Sequence, residues 1–278
     1  MKPLRQEHFG KIVQREFTKQ AERFSRSQSM RRKGGLEILP PLAGVKRSHR
    51  VLDLACGPGF VALEFAKHAR QVVGVDLTAE MLRKARALAR REGFDNATFR
   101  RADVSRLPFA DGSFDLVVTR ASFHHFPQPE QVLNEMVRVL KRNGKILISD
   151  NTSKNDPEKS RWQNRLEKMR DPSHVEMIPL RKWRKLFKNA GLRVVKVKRL
   201  VQRRDAEDWM ALTQTPLKVK RMIRWLLRQS MRGDTTGQNV RLIDGRLFFD
   251  LNYRIFVLEV SARQIPSPSP SPCGRGKG

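Results

Sequence analysis

Apolar residues in this chain come in short runs separated by longer amphipathic stretches. Val51, Leu52 and Leu54 form a run that suits a strand buried on both faces. Val72 to Val75 repeats it, Thr98 to Ala102 is a third extended stretch, Phe114 to Thr119 a fourth and Lys145 to Ile148 a fifth. Between these runs apolar positions recur at helical spacing. Val61, Leu63, Phe65 and Ala66 lie among polar residues from Phe60 to Ala69. Met81, Leu82, Ala85, Leu88 and Ala89 follow the N-cap candidate Thr78 and end at Gly93. Val132, Leu133, Met136, Val137 and Leu140 follow Pro129 and stop at Asn143-Gly144. Strands alternating with helices of this length predict an α/β fold, a doubly wound and mostly parallel sheet.

Beyond that alternation the texture changes. Met1 to Lys33 is polar and basic, with Ile12, Val13, Phe17 and Phe24 at loosely helical intervals. Leu36 to Leu42 reads as a short helix ended by Pro40-Pro41 and Gly44. In the polar stretch from Asn151 to Met177, Trp162, Leu166 and Met169 recur at helical spacing. Trp183, Leu186 and Phe187 mark another helix, and Leu192 to Leu200 alternates as a strand. Pro216 opens a very basic amphipathic helix from Leu217 to Arg228, which suits either core packing with a solvated face or an anionic membrane surface. Arg246 to Phe249 and Tyr253 to Val260 read as two strands, the second closing the sheet. The divisions expected are 1–45 as N-terminal lid helices, 46–200 as the ligand-binding core, 201–239 as a basic helical cap insertion, 240–262 as strands completing the sheet and 263–278 as a disordered, low-complexity tail.

The candidate chemistry gathers where strands end. Gly57 and Gly59 turn the chain between the first strand and its helix, where free backbone N–H groups and a positive dipole end form a ligand cradle. Gly57-Pro-Gly59-Phe-Val-Ala62 also fits a dinucleotide fingerprint, so the flanking acids decide. Asp53 precedes the turn, where a carboxylate suits a cationic ligand and opposes a diphosphate. Asp76 ends the second strand, where it can take both hydroxyls of a ribose, and Asp103 follows the third. An ammonium, a ribose and an adenine amino group suit this set better than a pyrophosphate does.

The runs LDLACGPG, VVGVDLTAEML and RADVSRLPFADGSFDLVVTR resemble the class I S-adenosylmethionine-dependent methyltransferases, in the ubiquinone/menaquinone-biosynthesis-type (methyltransferase type 11-like) branch. The resemblance extends from about Phe9 to Ala262, with Lys141-Arg-Asn-Gly144 departing from the Pro-Gly-Gly usual before the fifth strand. It implies S-adenosyl-L-methionine as cofactor, held by Asp53, Ala55, Gly57, Gly59, Asp76, Leu77, Met81, Asp103, Val104 and Arg120. It also implies an N-terminal segment that acts as a lid, or else an ordinary helix packed on the sheet edge. Leu77 offers an apolar face to adenine or simply packs in the core.

In such a sheet the segment just past a strand's carboxyl end faces the crevice. Arg120 to Phe126 is therefore expected to form one wall and Asp150 another, with the polar helix folding over both and bringing His174 to the opening. Methyl transfer from a sulfonium needs alignment and exclusion of water, and a hydroxyl or enol-like acceptor is helped by a base. The catalytic candidates are His125, His174, His124 and Asp150, with Arg120 as an anchor; a histidine pair can equally be structural. No carboxylate or cysteine close in sequence completes a metal site around the pair.

The charge adds one question. The sequence has 57 basic against 28 acidic residues, a formal net charge of +29. Such an excess invites RNA or an anionic membrane face, but the basic residues are scattered along every segment without a dense block. A small-molecule acceptor, quinone-like, aromatic or lipid, is therefore the first expectation, with at most peripheral contact with an anionic membrane and no stable nucleic-acid complex. An RNA or protein methyltransferase is the alternative, and a nicotinamide-binding protein a third reading. Cys56 and Cys273 show no disulfide or metal spacing, and the N-terminus has no apolar secretory region, so a cytoplasmic setting is expected.

Overall fold

The computed structural model describes residues 6–27 and 35–261; the tail from 263 to 278, with Cys273, and Lys33 lie outside the described residues. Five parallel strands form the centre of the sheet: β1 (Arg50–Leu54), β2 (Gln71–Asp76), β3 (Ala97–Arg101), β4 (Phe114–Arg120) and β5 (Leu140–Asn151). The strand order is β3-β2-β1-β4-β5-β8-β6, with β6 (Leu192–Asp205) and the long β8 (Arg246–Val260) completing it and β7 (Arg241–Ile243) pairing β8. Only β8 runs against its neighbours β5, β6 and β7. The order reverses between β1 and β4, so their carboxyl ends flank a crevice.

Helices cover both faces. α1 is Gln6–Arg26; a 3₁₀ turn at Leu36–Ile38 runs into α2 (Leu39–Ala43). Then come α3 (Phe60–Ala66), α4 (Ala79–Glu92), α5 (Pro129–Val139), α6 (Pro157–Arg170), α7 (Leu180–Asn189), α8 (Ala206–Leu212) and α9 (Leu217–Gly233). One core packs α2, α3 and α4 on the face carrying Val51, Leu116, Val118 and Ile255. The opposite face packs Leu52, Val117, Ile146 and Ile148 under α5 and α7, with Trp183 fully buried. A third, smaller core lies where β6 and β8 extend past the others, joining Tyr253, Leu251 and Phe249 to α6, α8 and α9.

Four expectations change. Pro40 and Pro41 do not end the helix near Leu36; they sit at the start of α2, where a missing N–H costs nothing, and Gly44 closes it in the left-handed region. α5 ends at Val139, and β5 starts at once, with Leu140 already extended at φ −79°, ψ 135°; Gly144 lies within the strand, where a Cβ would meet the Leu140 side chain at 2.6 Å. β6 continues past Leu200 to Asp205. Arg246 to Val260 is one strand, its inward side chains Leu247, Phe249, Leu251, Tyr253 and Ile255 buried without a break. On α9, Ile223 and Leu227 pack inward while Leu217, Met222 and Trp225 stay exposed between basic residues. Among the described residues no helix is long and apolar enough to cross a membrane.

Candidate active site

The crevice at the carboxyl ends of β1, β2 and β4 is a cleft of about 1200 Å³, counting the part open to solvent. Its floor is the loop after β1. Ala55 and Gly57 both adopt positive φ, 50° and 53°, to turn the chain there. A Cβ built on Gly57 would meet nothing within 4 Å, so its bare backbone faces the cleft. Gly59, with φ 89°, does not line the cleft; its Cβ would press on Ala85 at 3.1 Å and Phe99 at 3.2 Å. Its role corrects the expectation of ligand contact: Gly59 lets α3 pack against α4 and β3.

Three acids rim the floor. Asp53 is buried, its Oδ2 has no hydrogen-bond partner, and burial holds its carboxyl well above the usual carboxylate range. A cation brought to that oxygen would restore its charge. Asp76 is also pushed up by burial, which is opposed by N–H groups from Thr78 at 2.8 Å and Gly57 at 2.9 Å, one on each oxygen. An ionised carboxylate has about four acceptor positions, so each oxygen retains capacity for a hydroxyl. Asp103 is exposed, with Oδ1 capping Ser105 at 2.8 Å. Leu77, Met81 and Val104 supply the apolar wall between these acids. A cation, a diol and an aromatic ring with an amino group at these three places describe S-adenosylmethionine, and the residues fit it.

The far wall is Arg120 to Phe126, but only part of it faces the cleft. Arg120, Ala121, Ser122, His125 and Phe126 line it, and His124 and Asp150 do not. Asp150 is buried behind the wall and takes N–H groups from Ser122 (3.1 Å), Phe123 (2.6 Å) and Asn151 (2.6 Å). Its Oδ1 also meets His124 Nδ1 at 2.6 Å. Burial alone would pull the His124 pKa down, but the Asp150 charge and hydrogen bond hold it above its ordinary value. The same contact keeps Asp150 below the carboxylate range in spite of its burial. Asp150 is thus no wall of the crevice: strand β5 carries its carboxylate to the base of the loop, where it fixes the loop's backbone.

His125 is held differently. Its Nδ1 lies 3.0 Å from the Ser173 carbonyl oxygen and 3.1 Å from Ser173 Oγ, whose proton goes to Asp171 Oδ1 at 2.5 Å. Nδ1 therefore carries the proton, and Nε2 is left as an acceptor. Burial first, and the neighbouring His124 second, push its pKa down to about 4. His174 is buried but does not open on the cleft; its Nε2 donates to Asn164 Oδ1 at 2.8 Å, and burial lowers its pKa. Its ring stands 5.7 Å from His124 and 6.4 Å from His125, so it backs the pair from behind. Among the described residues no cluster of metal ligands forms.

The roof is α1. Phe9, Val13, Phe17 and Phe24 line the cleft from above, and Phe17 packs edge-on to His125 with ring centroids 5.0 Å apart. The helix is tied down by a Glu22–Lys84 ion pair to α4. It is also tied by Arg23 to the Ala211 carbonyl at 2.6 Å and by Gln214 to the Lys19 carbonyl at 2.7 Å. The sequence alone did not point to Phe9 as part of this site, nor to Asp171 and Ser173 as the partners of His125. Phe9 had a signal in its i, i+4 relation to Val13; the run Arg170 to Val175 resembles a subgroup of the family, but nothing local shows that Asp171 and Ser173 act on His125 from 46 or more residues away.

Comparison with known proteins identifies the family that shares this fold. Residues 46–205 match the family described as "Methyltransferase domain". YcgJ of Bacillus subtilis, an uncharacterised methyltransferase, is 34% identical over 171 residues, 62% of this chain and 68% of that one. Its crystal structure superposes with a TM-score of 0.77 at 28% identity, covering 81% of this chain and 97% of that one. The ubiquinone/menaquinone biosynthesis C-methyltransferase UbiE of Bdellovibrio bacteriovorus is 34% identical over 143 residues, 49% of this chain and 60% of that one. With a family match over more than half its length on the fold and cleft described, the chain belongs to the S-adenosylmethionine-dependent methyltransferases.

Proposed function

We propose that this enzyme methylates a small, largely apolar acceptor, quinone-like, aromatic or lipid, with His125 as the general base. The observation that carries the reading is the state of His125: Nδ1 is spent on Ser173, and the ring lines the cleft under Phe17. A neutral imidazole with Nε2 free is ready to accept a proton from a hydroxyl or an acidic carbon. The apolar roof of Phe9, Val13, Phe17 and Phe24 suits a ring or chain better than a nucleotide or a peptide backbone.

S-adenosylmethionine supplies an activated methyl group when bound. Asp53 would take its ammonium, Asp76 its ribose hydroxyls, and Leu77 and Asp103 would flank its adenine. The chain's own contribution to chemistry is then alignment, dryness and one proton. α1 excludes water from the cleft, the Asp150–His124 pair holds the wall loop, and His125 removes the acceptor's proton as its oxygen or carbon takes the methyl group. The Cys56 thiol, beside the floor, is raised far above its usual pKa by burial and stays neutral, so it is no nucleophile.

His125→Asn tests this. In single-turnover methyl transfer to the small-molecule fraction of a cell extract, the rate is expected to fall by about 10²–10⁴-fold while S-adenosylhomocysteine affinity stays unchanged. Full transfer by this variant would remove His125 as the base.

A further inference from the structure

Helix α9 has a side that the rest of the described molecule leaves uncovered. Ile223 and Leu227 sit in the small core and Ser230 is buried with them. On the outer side Lys218, Arg221, Trp225, Arg228 and Arg232 follow one another at three- and four-residue steps, with Met222 among them. Trp225 is 56% exposed, Met222 50%, Leu217 at the amino end 60% and Met231 near the carboxyl end 41%. Four large apolar side chains exposed on one helix make a patch, where single ones would need no explanation.

The charge around that patch has one sign. From Leu217 to Gly233 the helix carries six lysines and arginines and no acid. Arg224 is matched by Glu207 at 2.6 Å, and Asp234 just past the helix goes to Lys159. Lys218, Arg221, Arg228 and Arg232 have no ion pair among the described residues. Such a surface asks for a partner that is anionic and apolar at once. A second copy of the chain placed face to face would set these cations against themselves. A dissolved nucleic acid offers phosphates and a base for Trp225 to stack on, but nothing for Leu217, Met222 and Met231. A bilayer with anionic headgroups meets both demands: cations at the headgroups, apolar side chains at the acyl boundary and an indole at the interface between them.

We infer that the outer side of α9 docks on the surface of an anionic lipid bilayer, with Trp225 inserted and Arg221 and Arg228 at the headgroups. The face begins beside the roof of the cleft, since Gln214, three residues before Leu217, bonds to the Lys19 carbonyl of α1 at 2.7 Å. An apolar acceptor partitions into the same bilayer, so docking brings enzyme and acceptor to one surface. The inference goes beyond the proposed function and does not need His125 to be the base.

The test uses the full chain and unilamellar vesicles at physiological salt, either phosphatidylcholine alone or equal parts phosphatidylcholine and phosphatidylglycerol. Flotation is expected to show saturable binding to the anionic vesicles and at least about tenfold weaker binding to the neutral ones. Arg221→Gln combined with Arg228→Gln should weaken binding by about fivefold for each cation lost from the surface. Trp225→Ala should weaken it by about tenfold, the loss of a large apolar side chain from an apolar phase. These solvent-facing changes should leave S-adenosylhomocysteine affinity and melting temperature unaltered. Arg184→Gln combined with Lys185→Gln, exposed on α7, removes the same charge elsewhere and should leave binding nearly unchanged. Tryptophan emission should shift to the blue on adding anionic vesicles, and should not in Trp225→Phe, because Trp183 and Trp209 are buried already. No binding to anionic vesicles, equal weakening by the α7 and α9 pairs, affinity untouched by Trp225→Ala, or an emission shift that persists in Trp225→Phe would each overturn the inference. So would Trp225-dependent binding of an RNA pool, or Trp225-dependent self-association in light scattering, without vesicle binding; these would give the face to nucleic acid or to a second copy. None of these outcomes bears on His125, so failure here leaves the proposed function standing.

Discussion

A buried carboxylate oxygen with no donor is costly unless a cation arrives, and Asp53 Oδ2 is in that state on the cleft floor. Asp76 beside it is already half satisfied by the Gly57 and Thr78 N–H groups. Removing Asp76 should cost the cofactor its ribose contacts, each charge-assisted bond worth roughly 1.5–3 kcal/mol; calorimetric titration of Asp76→Ala with S-adenosylmethionine checks it. The two glycines of the floor should separate in their effects. Gly57→Val is expected to abolish cofactor binding, because its Cβ points into the open cleft, and to lower stability through the strain of a β-branched residue at φ 53°. Gly59→Val should lower the melting temperature, because its Cβ meets Ala85 and Phe99. The histidines make a pH prediction. His125 titrates near 4 when folded against an ordinary 6.5, so between those values the unfolded chain binds a proton that the folded chain does not. Stability is therefore expected to fall as pH drops through that window, by up to about 1.4 kcal/mol per pH unit for one proton. His174 acts in the same direction, while the raised His124 contributes stability that is present below 6.5 and lost as pH rises through its folded value. Urea unfolding from pH 7 to 4.5 should show a flatter acid limb for His125→Asn. Asp53, Asp76 and the glycine turn were legible in the sequence because each sits next to the strand that positions it. The Asp150–His124 pair was not, since it forms only when β5 lies beside β4.

α1 ties the amino-terminal segment to two distant parts of the chain, α4 through Glu22–Lys84 and the end of α8 through Arg23 and Gln214. Its inward stripe of phenylalanines makes it the roof of the cleft. Phe17→Ala should therefore raise the KM for the acceptor and leave cofactor affinity nearly unchanged, since Phe17 meets His125 and not the acids of the floor. Steady-state kinetics with saturating cofactor would detect the difference. The helix was foreshadowed by Phe17 and Phe24, but its packing partners were not, because nothing local encodes which surface an amphipathic helix will cover. The same limit applies to β6 and β8. Their alternation predicted strands, yet the continuous pairing from Leu192 through Asp205 depends on tertiary contact with α8 and α9 across the small core.

The net charge of +29 is spread over many elements and is not gathered at the cleft, whose walls are largely apolar apart from Arg120 and the three acids. Association with polyanions should accordingly be weak and steeply salt-dependent; filter binding of a mixed RNA pool at low and at physiological salt is expected to show retention only at low salt. The central claim is that the methyl group goes to a small molecule beside His125. It is tested most directly by incubating the enzyme and His125→Asn with methyl-labelled S-adenosylmethionine and a cell extract separated into small-molecule, RNA and protein fractions. The account predicts label in the small-molecule fraction, dependent on His125. Label that appears instead in RNA or protein, or that is transferred equally well by His125→Asn, would contradict it.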